Sequence, residues 1–286
     1  MFWKAALVWI GISVLAIANG FLREAVLKRL LGERMAHVAS TILLAAIVLV
    51  VSFVAGPWIG VSTLDEAWAL GFGWLAATLA FEFLAGHYLF GNPWSKIVAD
   101  YDATKGRVWP LVPLCTLVGP PLAFKGIDAK WAIPYAVSNL VAVAILFAAV
   151  TRPRVARWAI VVLFAYAAVY NTWLGRTRPE EYQGFAVLAL VPWYRDFIEG
   201  PLRDNGSTII PAIGIGQALC ALLLALGGRF AWAGAIGVCT FLLAIVPLGV
   251  GSAVPFSFLV SLAAIAAVGS ITASCKGPPP GSPGTS

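Results

Sequence analysis

A chain of 286 residues in which 60% are hydrophobic and only 11% are charged lies far from the soluble globular average of about 25% charged. Its mean hydropathy of +0.89 and the lack of any phosphate loop, nucleophile elbow or zinc-ligand spacing exclude a soluble-type hydrolase or NTPase. The net charge of +6 does not imply nucleic acid, because the basic residues fall between apolar runs, where they set membrane orientation.

Nine segments approach or exceed the ~20 residues that cross hydrocarbon: 5–22, 38–55, 67–90, 108–124, 131–150, 155–174, 209–226, 230–250 and 254–274. The expected fold is an all-α polytopic helical membrane protein in two bundled modules. A four-helix module at 1–124 precedes a polar linker at 125–130, and a five-helix module at 131–275 precedes a tail at 276–286 that is expected to be disordered. The fourth segment is short and carries Pro110, Pro113, Pro120 and Pro121, so it is expected to be kinked or half-inserted. No internal repeat supports the inverted-repeat logic of many transporters.

With the amino terminus outside, the inner loops collect 12 of the 19 basic residues, which favours a cytoplasmic carboxyl terminus. The start also reads as a signal peptide, with Lys4 before an apolar run ending at Ala16, Ile17 and Ala18. One positive charge before the run against four soon after it favours an uncleaved first span. Trp58, Trp94, Trp131, Trp158 and Trp173 near segment ends fit interfacial belts. Small-residue pairs at Gly56 and Gly60, Gly71 and Gly73, and Gly214 and Gly216 suit close helix packing. Cys115, Cys220, Cys239 and Cys275 show no metal or redox spacing. Cys220 and Cys239 lie at similar depth on consecutive helices and are expected to be near neighbours.

The longest connection, 175–208, carries an apolar run too short to span, which predicts an outer interfacial or re-entrant helix over 180–200. On the opposite side, Glu82 is the carboxylate set well inside a span, at an insertion cost of roughly 2.5–3.5 kcal/mol. Arg23, Glu24, His37 and His87 are expected near the same end of the bundle. Three readings of this polar cluster compete. Glu82 and Arg23 form an internal pair; or the acid and histidines line a pocket for protons, a quinone headgroup or a small substrate; or the histidines ligate haem or a metal. At α-helical geometry Glu82 and His87 point apart, which disfavours a shared ligand site. No metal site is predicted from spacing.

From Arg157 onward the pattern resembles the DoxX-like membrane family. The resemblance rests on a span ending in Tyr170 and Asn171, a connection with Pro179, Tyr182, Phe185 and Pro192, a helix opening Gly214, Ile215, Gly216 and Gln217, and an inner turn of Gly227, Gly228 and Arg229. It implies a four-helix unit over about 157–270, associated in some members with quinone-linked or thiol-linked redox chemistry. Gln217 stands where the family often has an acid; an amide can hydrogen-bond a quinone carbonyl but does not exchange protons. The amino-terminal stretches NGFLRE, FEFLAGHYLFG and ADYDATKGR look like uncharacterised bacterial multi-pass membrane proteins, and the two resemblances together imply a bacterial inner membrane.

Three functions follow as expectations. The first is an accessory or scaffold subunit of a membrane complex, redox-related and without catalysis of its own, with membrane protein partners besides the lipid bilayer. The second is a binder or carrier of a quinone or lipid, with a pocket formed by Tyr170, Asn171, Tyr182, Tyr194, Arg195 and Gln217. The third is a proton-coupled small-solute transporter using Glu82.

Overall fold

Without water in hydrocarbon, the backbone must satisfy its own polar groups, and a chain this apolar does so with helices. The computed structural model describes residues 2–275, in which every regular element is helical; the tail at 276–286 lies outside the described residues. Helix α1 (Phe2–Leu22) passes through a π-helical turn, Arg23–Leu27, into α2 (Lys28–Ile59), a 58-residue run. Straight, that run would measure about 87 Å against about 30 Å of hydrocarbon. It is folded instead: Gly32 takes φ 75° and ψ 166°, a conformation that needs glycine. The two arms lie antiparallel, with Asn19 Nδ2 donating to the Ser40 carbonyl at 3.0 Å and Lys4 Nζ to that of Trp58 at 2.9 Å.

Helix α3 (Leu64–Ala80) opens on a capping box, in which Thr63 accepts from the Glu66 N–H and the Glu66 carboxylate accepts from Thr63 and Ser62. It continues as a π-helix, Phe81–Leu89. After α4 (Trp94–Ala99) and a 3-10 turn, Ala103–Lys105, the chain enters α5 (Leu111–Lys125). At 15 residues α5 is about 22 Å long. It is one unbroken helix rather than a kinked one, and its prolines sit in a segment buried against α2 and α3. Two glycines permit that approach. A Cβ at Gly71 would overlap the Leu117 carbonyl, and one at Gly119 would overlap Ser52 Oγ. Gly56 and Gly60 face open space; Gly60 is the left-handed cap of α2 (φ 84°), not a packing residue.

The second half comprises α6 (Ala129–Thr151), α7 (Pro153–Thr177), α8 (Pro192–Phe197), α9 (Arg203–Leu226), α10 (Gly228–Ala244) and α11 (Phe256–Cys275). Helices α7 and α9 meet through Gly175 against Ile210 and Gly214 against Thr172. The eighth predicted span ends early: α10 stops at Ala244 and a 3-10 segment, Val246–Ser252, turns away by 85°. Tyr135 and Asn139 of α6 donate to the carbonyls of Val254 and Ala253 and hold the following turn. Helix α11 is the axis of the bundle, with 67% of its spanning window buried against 22–39% in the other spans.

The outer connection differs from the expected helix. A 3-10 segment, Pro179–Leu188, and α8 flank three non-helical residues, Ala189, Leu190 and Val191, and Leu190 is wholly buried. The Leu190 N–H donates to the Pro247 carbonyl (2.7 Å), its own carbonyl accepts from Trp68 Nε1 (2.7 Å), and Lys125 Nζ reaches the Val187 carbonyl (3.1 Å). The strap thus ties α3 and α5 to the turn after α10. At the other end Arg34 Nη2 reaches Ser270 Oγ (3.4 Å) and the Thr104 backbone lies against Gly269, so one buried apolar cluster runs through both halves.

Among the described residues, six helices, or seven with the bent pair, suffice by length and composition to cross a membrane, and α5 is a shorter apolar helix. The chain is therefore consistent with an integral membrane protein with several crossings.

Gly71→Ala should lower the thermal aggregation midpoint in detergent, at a cost of about 1–3 kcal/mol for overpacking. Gly73→Ala should be near neutral, because a Cβ there meets nothing within 4 Å. The hydrogen bond from the Ser62 backbone N–H, followed by that from its hydroxyl, holds the Glu66 carboxyl below the usual carboxylate range. Its contribution is therefore present above that range and lost as pH falls through the depressed value. In a stability profile against pH, Glu66→Gln should remove that share of the acid limb.

Candidate functional site

Two of the three π-helical segments among the described residues, Arg23–Leu27 and Phe81–Leu89, border one cavity of about 460 Å³, a volume within the range of small-molecule sites. A π turn inserts one residue more than an α turn and recurs at functional positions; here the two segments carry Arg23 and Glu24, and Glu82 and Gly86, to the cavity wall. One side is α1 from Ile12 to Phe21. Opposite it stand Ser40, Leu44 and Val48 of α2, and Val112 and Thr116 of α5. The mouth at the basic end of the bundle carries Asn92, Lys96 and Asp100.

Glu82 is not paired with Arg23. Its Oε2 accepts from the Tyr101 hydroxyl at 2.6 Å, while Arg23 lies 3.3 Å from Glu24, which also binds Lys28 at 2.6 Å. Tyr101 reaches inward because the 100–110 stretch folds down onto the helices, with Val108 fully buried. Burial, and then the Glu82 carboxylate beside it, push the Tyr101 phenol well above its ordinary value, so the phenol keeps its proton and is the donor. The Asp102 carboxylate accepts from the Thr104 hydroxyl and lies 3.1 Å from Lys105, contacts that hold its carboxyl below the usual range and pin the turn.

Asn19 Oδ1, an acceptor, is buried in the wall without a protein partner; Trp109 Nε1, a donor, is buried beside the Glu82 carboxylate and engages it only loosely, short of full hydrogen-bond geometry. Asn19 is 7% exposed. The other wall hydroxyls are satisfied locally, Ser40 by the His37 carbonyl and Thr116 by that of Val112. Leaving a buried acceptor unpaired costs about 1–3 kcal/mol, so Asn19 Oδ1 is where a bound molecule gains most, with the loosely held indole N–H second.

The histidines turn elsewhere. His87 stacks on Trp94 with ring centroids 4.1 Å apart and donates from Nδ1 to the Asn92 carbonyl at 2.9 Å. His37 is buried on α2, its Nε2 without a partner. Neither lines the cavity, and no group of three metal-ligating side chains occurs among the described residues. The segment holding Glu82 and His87 is π-helical, so the 100° per residue used to separate them does not apply; the two still face different neighbours.

Of the six residues expected beneath the outer connection, three join in a closed chain. Tyr182 donates to Asn171 Oδ1 (2.5 Å), and Asn171 Nδ2 donates to Gln217 Oε1 (2.8 Å). Tyr170 is exposed and stacks on Tyr166, Arg195 lies beside Asp196 at 3.8 Å, and Tyr194 packs in a small cluster with Ile198 and Leu202. Cys220 Sγ sits against Gly237, whereas Cys239 Sγ approaches the Ser261 carbonyl; both thiols are free.

Asn19, Trp109 and Tyr101 are absent from the polar cluster read from the sequence. For Asn19 a signal existed, a lone amide one turn before the end of an apolar run. No family model, curated protein or solved structure matches the chain.

Tyr101→Phe should leave the Glu82 carboxylate without its donor and lower stability in detergent by about 1–3 kcal/mol. Glu82→Gln keeps an acceptor for the phenol and should cost less. Unchanged melting of Tyr101→Phe would show that the bond does not hold the inner loop.

Proposed function

We propose that this protein crosses the membrane nine times, amino terminus outside and carboxyl terminus inside, and binds a small neutral amphipathic molecule in the cavity beside Glu82. The count takes the folded 58-residue run as two crossings, the bent pair after Gly228 as one, and α5 as one. The orientation rests on Arg23, Lys28, Arg29, Arg34, Lys96, Lys105 and Arg107, all between the apolar runs at the cavity's end of the bundle.

The observation that carries the binding reading is the unpartnered Asn19 Oδ1, with the loosely engaged Trp109 N–H across from it, in a cavity whose apolar wall includes Ile12, Leu44, Val48 and Val112. A ligand that offers Trp109 an acceptor and Asn19 a hydroxyl donor, with an apolar body against the aliphatic floor, matches every wall. A quinol or a neutral lipid with a free hydroxyl has that chemistry. The charged groups at the mouth have partners of their own: Arg23 has Glu24, Lys96 has Asn92 and Asp100 has Arg107. An ionic ligand would have to displace them.

The scaffold-subunit reading requires a docking face, and lipid alone accounts for the exposed apolar surface of α1, α6 and α7. The carboxyl-terminal unit that resembles the DoxX-like family is the natural place for such a face, if a partner exists. A proton-coupled transporter would use Glu82, whose carboxylate reaches the same cavity.

Protein purified in mild detergent should carry about one such molecule per chain, identified by mass spectrometry of the solvent extract. Trp109→Phe and Asn19→Leu should each lower that content about five- to tenfold, as the loss of one buried hydrogen bond implies. Unchanged content in both would overturn the binding reading. Liposome solute flux abolished by Glu82→Gln would replace it with the transporter.

A further inference from the structure

Helices α1 and α3 meet at the far end of the cavity and part toward the basic end of the bundle. Trp74 Nε1 donates to the Ala5 carbonyl (3.0 Å), Trp9 Nε1 donates to Thr78 Oγ1 (3.1 Å), and the Trp9 ring meets Phe81 edge-on at 6.1 Å. Beyond that ring pair, no hydrogen bond or ring contact among the described residues joins α1 to the π-helical segment Phe81–Leu89. The last turns of α1 are fastened to α2 instead, through Asn19 and the Ser40 carbonyl. The parted surfaces are also small: Ala16 and Gly20 of α1 and Gly86 of the π-helical segment border the space, and a Cβ on Gly20 would meet nothing within 4 Å.

The rim of this cleft is apolar and open. Phe21 and Phe90 line the cavity and are nevertheless 71% and 56% exposed, and Ile17 between the wall and the outer flank is 39% exposed. Such a rim faces acyl chains, whereas the mouth at Asn92, Lys96 and Asp100 faces water. Polarity is graded along the cleft as well. Asn19, its Oδ1 buried without a partner, lies one turn from the basic end of α1, and Ile12 lies about 10 Å deeper at helical rise. A lipid of the leaflet at that end has the same gradient, with its head toward water and its chain toward the midplane.

We propose that the cleft between α1 and Phe81–Leu89 is a lateral portal and that the ligand is a single-chain neutral lipid, its hydroxyl-bearing head at Asn19 and its hydrocarbon chain leaving beside Ile17 into the bilayer. This inference rests on the binding reading above and names the class of its ligand. A cavity of about 460 Å³ lies in the lower part of the roughly 300–1,000 Å³ range of ligand sites, enough for a head and part of one chain but not for two. A longer chain has to emerge, and the cleft is the apolar exit.

The test uses the full chain in phosphatidylcholine nanodiscs and two probes with the same head, monooleoylglycerol, read by native mass spectrometry, and monobutyrylglycerol, read by saturation-transfer NMR. Wild type should bind both, and Asn19→Leu should weaken both. Gly20→Trp fills the cleft from α1; it should lower retention of monooleoylglycerol by roughly fourfold for each methylene displaced from burial and leave the short probe's signal unchanged. Gly11→Trp, the same change on α1 away from the cavity, should alter neither. Should Gly20→Trp not be recovered folded, Gly20→Leu must still weaken the long probe alone. Full retention of monooleoylglycerol by Gly20→Trp, with Asn19→Leu impaired, would overturn the portal and leave the binding reading standing. Equal loss of both probes in Gly20→Trp would also overturn the portal, because the indole would then occupy the head site. Binding of neither probe by wild type would overturn the portal and the binding reading together.

Discussion

The close approach of α5 to α2 and α3 is the constraint on which the first half of the molecule depends. A 15-residue helix rich in proline cannot cross a bilayer while exposed to lipid, because its ends and its missing amide donors would lie in hydrocarbon. Burial on all sides removes that difficulty, and Gly71 and Gly119 are what make the burial close enough. Since α5 is short, the chain that precedes it must descend to meet it. That descent carries Tyr101 and Trp109 to the depth of Glu82, and the cavity is the space left between the descending chain, the widened π-helical segments and α1.

Much of this was legible in the residue pattern, and the failures have physical causes. The apolar runs, the boundary glycines and the lone interior carboxylate Glu82 were all readable, since each is a local property of the sequence. The partner of Glu82 was not. Tyr101 lies 19 residues further on, in a stretch whose charges read as solvated, and hydropathy does not report a loop that folds back. His37 and His87 were placed at one depth by counting residues, but depth does not fix which way a side chain turns around its helix. Counting also assumed 3.6 residues per turn through Phe81–Leu89, which is π-helical.

The carboxyl-terminal half shows the same limits. The run at 184–194 has the length and apolarity of a surface helix, yet Leu190 is pulled inward by Trp68 and Pro247, partners more than 50 residues away in either direction. Tertiary hydrogen bonds decide its shape. The spacing that placed Cys220 and Cys239 at one depth did not reveal that one faces α10 and the other α11. Gln217 was noted as a departure from a family pattern; in the fold it ends a chain of amides and a phenol, in which Tyr182 donates to Asn171 and Asn171 donates to Gln217 Oε1.

Helix α1 is fastened along a single stripe, Ala5, Ile12 and Asn19, with indole bonds from Trp74 to Ala5 and from Trp9 to Thr78. Its face from Ser13 to Ile17 borders the cavity on one side and the acyl chains on the other. For a solute that dissolves in the bilayer, the reservoir is then the lipid phase rather than the cytoplasm. Occupancy follows the mole fraction of the solute among lipids, and an affinity expressed per litre of water would be inflated by its partition coefficient. A protein that binds its ligand in this cavity, as proposed above, would sample membrane composition.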